Sequence, residues 1–242
     1  VAPLGEGEFA VVDWSANTQL QTRVATTAGG LDADFEVAPF GKEGAIAVKG
    51  SELLALISDD GDELESASFQ ATPQQIDQSN FNQALVGPSG TRPDLAWGEG
   101  EPVASWIAGG IGHVARFTPG LGTGDIFPIG AATDVLLADH APSGRTGILS
   151  LDAAGTAMLN TIDVDGTIPS AVEVTGGGAN AVSVAIAGAA TGWAVAYVAM
   201  ARGHIATFDP TLVPLGTGEV SADATAIAIA AIDDQLGVAW TD

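Results

Sequence analysis

The chain has 242 residues, with 30 acidic side chains against 7 basic ones and no cysteine. A net charge of −23 leaves too few Lys and Arg to neutralise a run of phosphates, which excludes nucleic acid and anionic membrane surfaces as partners. The lack of cysteine excludes disulfides, thiolate metal sites and a cysteine nucleophile.

Hydrophobic residues make up 46% of the chain, in short runs broken by 32 glycines and 12 prolines. No run keeps a 3.6-residue period, so the expectation is an all-β protein with a sizeable core. No stretch of about 20 apolar residues is present to span a membrane. The chain begins at Val1, as a processed product would. With the acidity and the missing cysteines, this sets the expected location as secreted, periplasmic or cell-surface.

In chain order, five short strands end on an apolar residue followed by a small turn-former. They are FAVVD (Val12, Asp13), LLALIS (Ile57, Ser58), HVARFT (Phe117, Thr118), MLNTID (Ile162, Asp163) and HIATFD (Phe208, Asp209). Side chains such as Asp, Ser and Thr hydrogen-bond the backbone of a following turn. The anchors are spaced 45, 60, 45 and 46 residues, and wrapping from Phe208 through Asp242 to Val12 gives 46 again. A second marker lies eleven residues ahead of the later anchors, at Ile46, Trp106, Leu151 and Tyr197, with Trp240 as its fifth member.

Each unit then reads as four short strands, a to d. Strand a is DFEV, PDLAW, TDVLLAD, AVSVAIAG or TAIAIAAI, and strand b is typified by PVASW and WAVAYV. Four-stranded antiparallel units of 40–50 residues repeated radially predict a β-propeller. The predicted blades are 32–91, 92–132, 133–180 and 181–224. A fifth is formed by 225–242 together with 1–31, so that terminal strands share one blade. The alternative is six blades, with 225–242 opening an incomplete sixth. The FDPTLVPLG hairpin (208–216) resembles blade motifs of secreted or lipid-anchored bacterial propellers, and the resemblance implies the propeller fold for a single domain over 1–242.

If strand a lines a central channel, its first residues ring one mouth. These are Asp34, Asp94, Asp134, Asn180 and Asp223. Ionised carboxylates about 8 Å apart repel by roughly 2 kcal/mol at an effective dielectric near 20. Turn capping, protonation or a hard oxygen-seeking cation such as Ca²⁺ would relieve that, with Asp94, Asp134 and Asp223 as its ligands. The 60-residue spacing predicts a long amide-rich loop, 71–92, on the same face with Phe81 at its centre.

Other motifs carry less. His113 and His204 open strand c in non-adjacent units, too far apart to share an ion, and are expected to be scaffold. Trp106, Tyr197 and Trp240 are expected to pack between blades, whereas Trp14 and Trp97 are candidates for exposure. DVDG (163–166) and DDGDE (59–63) lack the ligand spacing of a dedicated calcium loop. SLDAAGT and TIDVDGT resemble the structural turn of sialidase-type propellers, but the single tyrosine, Tyr197, lies inside strand b and the arginines are scattered. The function expected is therefore non-catalytic binding of a protein or other ligand through the loop face, with no cofactor required. A glycan-binding lectin and a five-bladed glycoside hydrolase are the alternatives.

Overall fold

A run such as WAVAYV is apolar at every position, so as a strand it must be covered on both faces. The computed structural model does this by stacking sheets. It describes residues 2–5, 8–14, 20–26, 35–38, 41–59, 63–72, 75–87, 90–98, 100–118, 122–163, 165–176, 180–232 and 235–242.

The described strands form five four-stranded sheets and one two-stranded sheet, each in sequential order. The first holds β1 (Ala2–Gly5), β2 (Glu8–Trp14), β3 (Leu20–Thr26) and β4 (Phe35–Ala38), and the second β5 (Gly41–Lys49), β6 (Glu52–Asp59), β7 (Leu64–Thr72) and β8 (Gln75–Gly87). The third holds β9 (Thr91–Ala96), β10 (Val103–Ala108), β11 (Ile111–Thr118) and β12 (Gly122–Ala131). The fourth holds β13 (Asp134–His140), β14 (Arg145–Leu151), β15 (Ala157–Ile162) and β16 (Val172–Glu173). The fifth holds β17 (Ala181–Ala189), β18 (Gly192–Ala199), β19 (Arg202–Phe208) and β20 (Pro214–Ser221), and the last is the hairpin β21 (Ala226–Ile232) and β22 (Gln235–Thr241). Among the described residues one 3-10 turn, Ala141–Ser143, is the sole helical element, and no helix is long and apolar enough to cross a membrane.

The chain divides into two compact units: residues 1–97, 101–109 and 113–128, and residues 98–100, 110–112 and 129–242. In the second unit β18 is buried along its whole length. Its alternate residues Trp193, Val195 and Tyr197 join Leu149, Leu151 and Leu159 of the fourth sheet in one core cluster. Ala196 and Val198, on its other face, pack with Ala224 and Ile227 at the hairpin. The aromatic side chains of β18 thus enter one inter-sheet layer and aliphatic ones the next, with the period of two that a strand imposes. The first unit repeats the plan: Leu54, Leu56 and Leu64 of the second sheet pack with Leu95, Ala104, Trp106 and Ala115 of the third.

First strands of successive sheets lie side by side, β13 against β17 and β17 against β21. The approach is closest at Gly188, where a Cβ would overlap the backbone carbonyl of Asp139. Gly147 in turn makes room for Trp193, whose ring carbons would lie 2.8 Å from a Cβ there.

The last three units keep the predicted strand phase, and the first two do not. Val12 and Ile57 lie in β2 and β6, the second strands of their sheets, whereas Phe117, Ile162 and Phe208 lie in β11, β15 and β19, the third strands. The 60-residue interval is therefore one period plus the step from a second to a third strand. No long insertion is needed: most of 71–92 is strand, chiefly β8, and Phe81 falls within that strand. The 46-residue wrap compares unlike strands too. Residues 2–38 supply four strands that pair in one sheet, where two had been expected from 1–31, and 226–241 pair as a hairpin. The pattern misled because Val12–Asp13 and Ile57–Ser58, in second strands, read the same as Phe117–Thr118, Ile162–Asp163 and Phe208–Asp209 in third strands.

Of those turn-formers Asp209 acts as expected, whereas the buried Ser58 hydroxyl donates to the carbonyl of Gly90. The Asp209 carboxylate accepts the backbone N–H groups of Thr211 (2.8 Å) and Val213 (2.9 Å) and the Thr211 hydroxyl (2.8 Å). Asp152 accepts the N–H groups of Ala154 and Thr156 at 2.9 and 2.8 Å. Asp163 instead pairs with Arg145 (2.7 Å), whose guanidinium also donates to the Pro210 carbonyl (2.7 Å) and so ties the turns of two sheets together.

Two predictions follow from these contacts. Gly188→Ala is expected to cost about 3 kcal/mol, because the added carbon meets backbone and not a movable side chain. The thermal midpoint should then fall by roughly 6–12 °C, whereas Gly218→Ala, whose added carbon would make only an ordinary contact with Ile205, should change it little. The second concerns acid. Backbone and hydroxyl donors hold the Asp209 carboxyl below the ordinary carboxylate range, so its contribution is complete above that range and is lost as pH falls through the lowered value. A pH series of thermal melts should show Asp209→Ala destabilised at neutral pH and converging on the parent protein under acid conditions.

Candidate functional site

The hydrogen bonds between sheets define where each first strand begins. The N–H of Ala132 donates to the Gly110 carbonyl (3.0 Å), that of Ala181 to Gly155 (2.9 Å) and that of Ala224 to Ala201 (2.9 Å). Each donor opens a first strand or lies two residues ahead of one, and each acceptor lies in the turn joining the second and third strands of the preceding sheet. All three alanines are buried, at 5%, 5% and 1% exposure. A short side chain is required where the chain passes beneath the neighbouring turn.

This repeated contact gives a common address against which the sequence candidates can be placed. Asn180 and Asp223 each immediately precede the alanine, and both are exposed. Asp134 lies two residues after Ala132, half-buried in β13 and paired with Leu151. Asp94 is the fourth residue of β9, half-buried and paired with Ser105, and its carboxylate accepts the N–H of Leu95 at 2.9 Å. Asp34 lies outside the described residues, and the strand that follows it, β4, is the fourth of its sheet and not a first strand. The side chain of Phe81 also lies outside the described residues.

Asn180 and Asp223 therefore share one register, whereas Asp134 and Asp94 sit further along their strands. Among the described residues no group of three His, Cys, Asp or Glu side chains is placed to hold a metal ion.

Two side chains that the sequence pattern did not single out stand at this face. Val182 is the extra residue of a β-bulge, between the pairs Ala181–Ala199 and Ser183–Val198, and is 68% exposed. A bulge turns one side chain out of the sheet's alternation. Met200 is 78% exposed in the two-residue turn between β18 and β19, with φ of 53° there and 59° at Ala201. The equivalent turn after β10 is Gly109–Gly110, with φ of 59° and 77°. Left-handed backbone costs a non-glycine residue about 1 kcal/mol or more, so Met200 occupies a position where glycine would be the more stable choice. The non-glycine turn residues of AMAR were the available sequence signal. Ile111, 43% exposed, follows the glycine turn.

The histidines belong to the scaffold. His113 stacks on Trp106 (centroids 5.6 Å apart) and His204 on Tyr197 (5.0 Å), each pair made by a third strand and its neighbouring second strand. Buried His140 tilts against Trp193 at 5.3 Å and hydrogen-bonds Ser143 at 2.6 Å. Burial pushes the Tyr197 hydroxyl above its usual pKa, the opposite of what an activated nucleophile needs. Trp106 and Tyr197 are buried as expected, but Trp240 is 44% exposed. Trp97 is half-buried and packs on the cluster around Trp106.

No protein-family model and no curated protein matches the chain. Solved structures do. The Dos1 propeller is similar over 90% of this chain at a TM-score of 0.54 and 12% identity, with this chain spanning 62% of its length. The fucose-specific lectin of Aleuria aurantia is similar over 98% of this chain and 85% of the lectin, at 0.58 and 12%. The PQQ-bound aldose sugar dehydrogenase of Streptomyces coelicolor is similar over 94% of this chain and 83% of that one, at 0.57 and 14%. At these identities the likeness speaks for architecture alone, and the architecture of this chain is that of a β-propeller.

Proposed function

We propose that this chain is a non-catalytic binding propeller that takes a protein partner on the face where the first strands begin. The observation that carries the reading is the pairing of Val182 and Met200, two large apolar side chains left in water, with exposed Asn180 and Asp223. One is turned out by a bulge and the other held in left-handed backbone, and strain of that kind is kept where it serves a site. A partner with an apolar knob flanked by basic groups fits this surface and the net charge of −23. The strand phase favours six repeat units over 1–242, the last contributing two strands, in place of five. A secreted, periplasmic or cell-surface setting accords with the acidity and the lack of cysteine.

A Ca²⁺ ion held by Asp94, Asp134 and Asp223 has less support, since only Asp223 stands at the exposed end. The glycan-binding and hydrolase readings lack a specific supporting observation. Each described aromatic in the repeated position other than Trp240 is buried, and likeness to a lectin at 12% identity carries no ligand with it.

Val182→Glu and Met200→Glu should each weaken partner capture at least about tenfold, the equivalent of losing one buried apolar side chain of about 1.5 kcal/mol. Met200→Gly separates fold from function: it should leave the thermal midpoint unchanged or slightly raised while lowering affinity. Quantitative capture from an extracellular extract, with these variants beside the parent and a glycan array in parallel, reads the outcome. Glycan binding that survives all three substitutions would overturn the proposal.

A further inference from the structure

Cysteine is absent from the 242 residues and methionine occurs twice, so sulfur stands only at Met158 and Met200. The two differ in access. Met158 lies within β15, half-buried, with Ser150 and Glu173 as its cross-strand neighbours. Met200 is 78% exposed, in the two-residue turn between β18 and β19. The fifth sheet packs on the fourth sheet and on the hairpin, and all three belong to one compact unit, so the setting of this turn is made within that unit. Ala181 pairs with Ala199, and the two outward side chains, Val182 and Met200, are the next residues in sequence to that pair.

Exposure matters for a thioether because its oxidant must reach a sulfur lone pair. With hydrogen peroxide, that lone pair attacks one of the two oxygens. The S–O bond forms as the O–O bond breaks, and the displaced oxygen takes the proton of the transferred one and leaves as water. Sulfur loses two electrons and the peroxide gains them. The product is a sulfoxide, polar where the thioether was apolar. Two thiols reverse the step, giving the thioether, one disulfide and water. Of the apolar side chains, methionine alone is made polar by a single reversible step. The turn itself does not require it: the counterpart after β10 is Gly109–Gly110, whereas Met200 takes φ of 53°.

We propose that Met200 is a modification site, oxidised by a peroxide, and that its sulfoxide releases the partner from the binding face proposed above, a reading on which this one rests. The added oxygen is hydrated and would have to be stripped of water when a partner's apolar knob docks. The stacking contact is left intact, because it is made by main-chain atoms: the N–H of Ala224 donates to the Ala201 carbonyl at 2.9 Å. Oxidation thus acts on the face and not on the fold. Met158 is the internal comparison, a thioether shielded by its sheet.

Methyl NMR of the full chain with isotope-labelled methionine gives one signal per sulfur and reads both steps. Under dilute hydrogen peroxide, Met200 should convert at least about tenfold faster than Met158, with the thermal midpoint moved by less than about 2 °C. The binding probe is a six-residue peptide with leucine and phenylalanine between pairs of lysines. It should shift the Met200 signal of the reduced chain, and oxidation should weaken its binding at least about fivefold. Methionine sulfoxide reductases with dithiothreitol should restore it. Met158→Leu should keep this peroxide response, whereas Met200→Leu, whatever its own affinity, should lose it. Met158 reacting as fast as Met200, unchanged peptide affinity after oxidation, or a loss that Met200→Leu does not prevent would each overturn this inference and leave the binding face standing. A loss accompanied by a falling thermal midpoint would overturn it too, by placing the damage in the scaffold. A reduced chain that shows no peptide binding would overturn the binding face itself, and the switch with it.

Discussion

A backbone hydrogen bond from the residue ahead of a first strand to the turn of the preceding sheet is the contact on which the rest of this protein depends. A sheet whose second strand reads WAVAYV has two apolar faces, and neither can be left in water. The described residues offer no helix beyond one 3-10 turn, so each face is covered by another sheet and the sheets stack in register. The bonds Ala132–Gly110, Ala181–Gly155 and Ala224–Ala201 set that register at one end. With it fixed, Gly188 can touch the backbone of Asp139, and Trp193 can fill the space above Gly147. Along β18 the aromatic residues Trp193 and Tyr197 then face one buried layer, and Ala196 and Val198 the other.

The same contact shapes the surface. Because the turn must reach over the start of the next first strand, the residues beside it are exposed. Asn180 and Asp223 precede the buried alanine and point their chemistry outward, and Met200 lies next to the accepting carbonyl of Ala201. The proposed binding face and the stacking contact are two sides of one structural device.

Much of this was legible in the amino-acid order. The propeller architecture, the strands from Thr91 onward and the turn-capping role of Asp209 all follow from apolar runs punctuated by Gly and Asp. The phase of the first two units was not legible, because LLALIS in a second strand and MLNTID in a third present the same ending to a reader. That slip turned β8 into a loop around Phe81 and placed Asp34 ahead of a first strand. Register within the later units was lost for a related reason. Aligning on Asp put Asp134 level with Asp223, whereas the buried alanine is the residue that repeats. Val182 was invisible because a bulge changes exposure without changing composition.

Native-state hydrogen exchange at the amides of Ala132, Ala181 and Ala224 tests the central claim most directly. If these three bonds hold the sheets in register, the amides should exchange only through the largest opening of their unit, as slowly as those in the middle of β18. Exchange at the rate of the exposed turn residues around them would contradict it, since the sheets would then be held in register by side-chain packing alone.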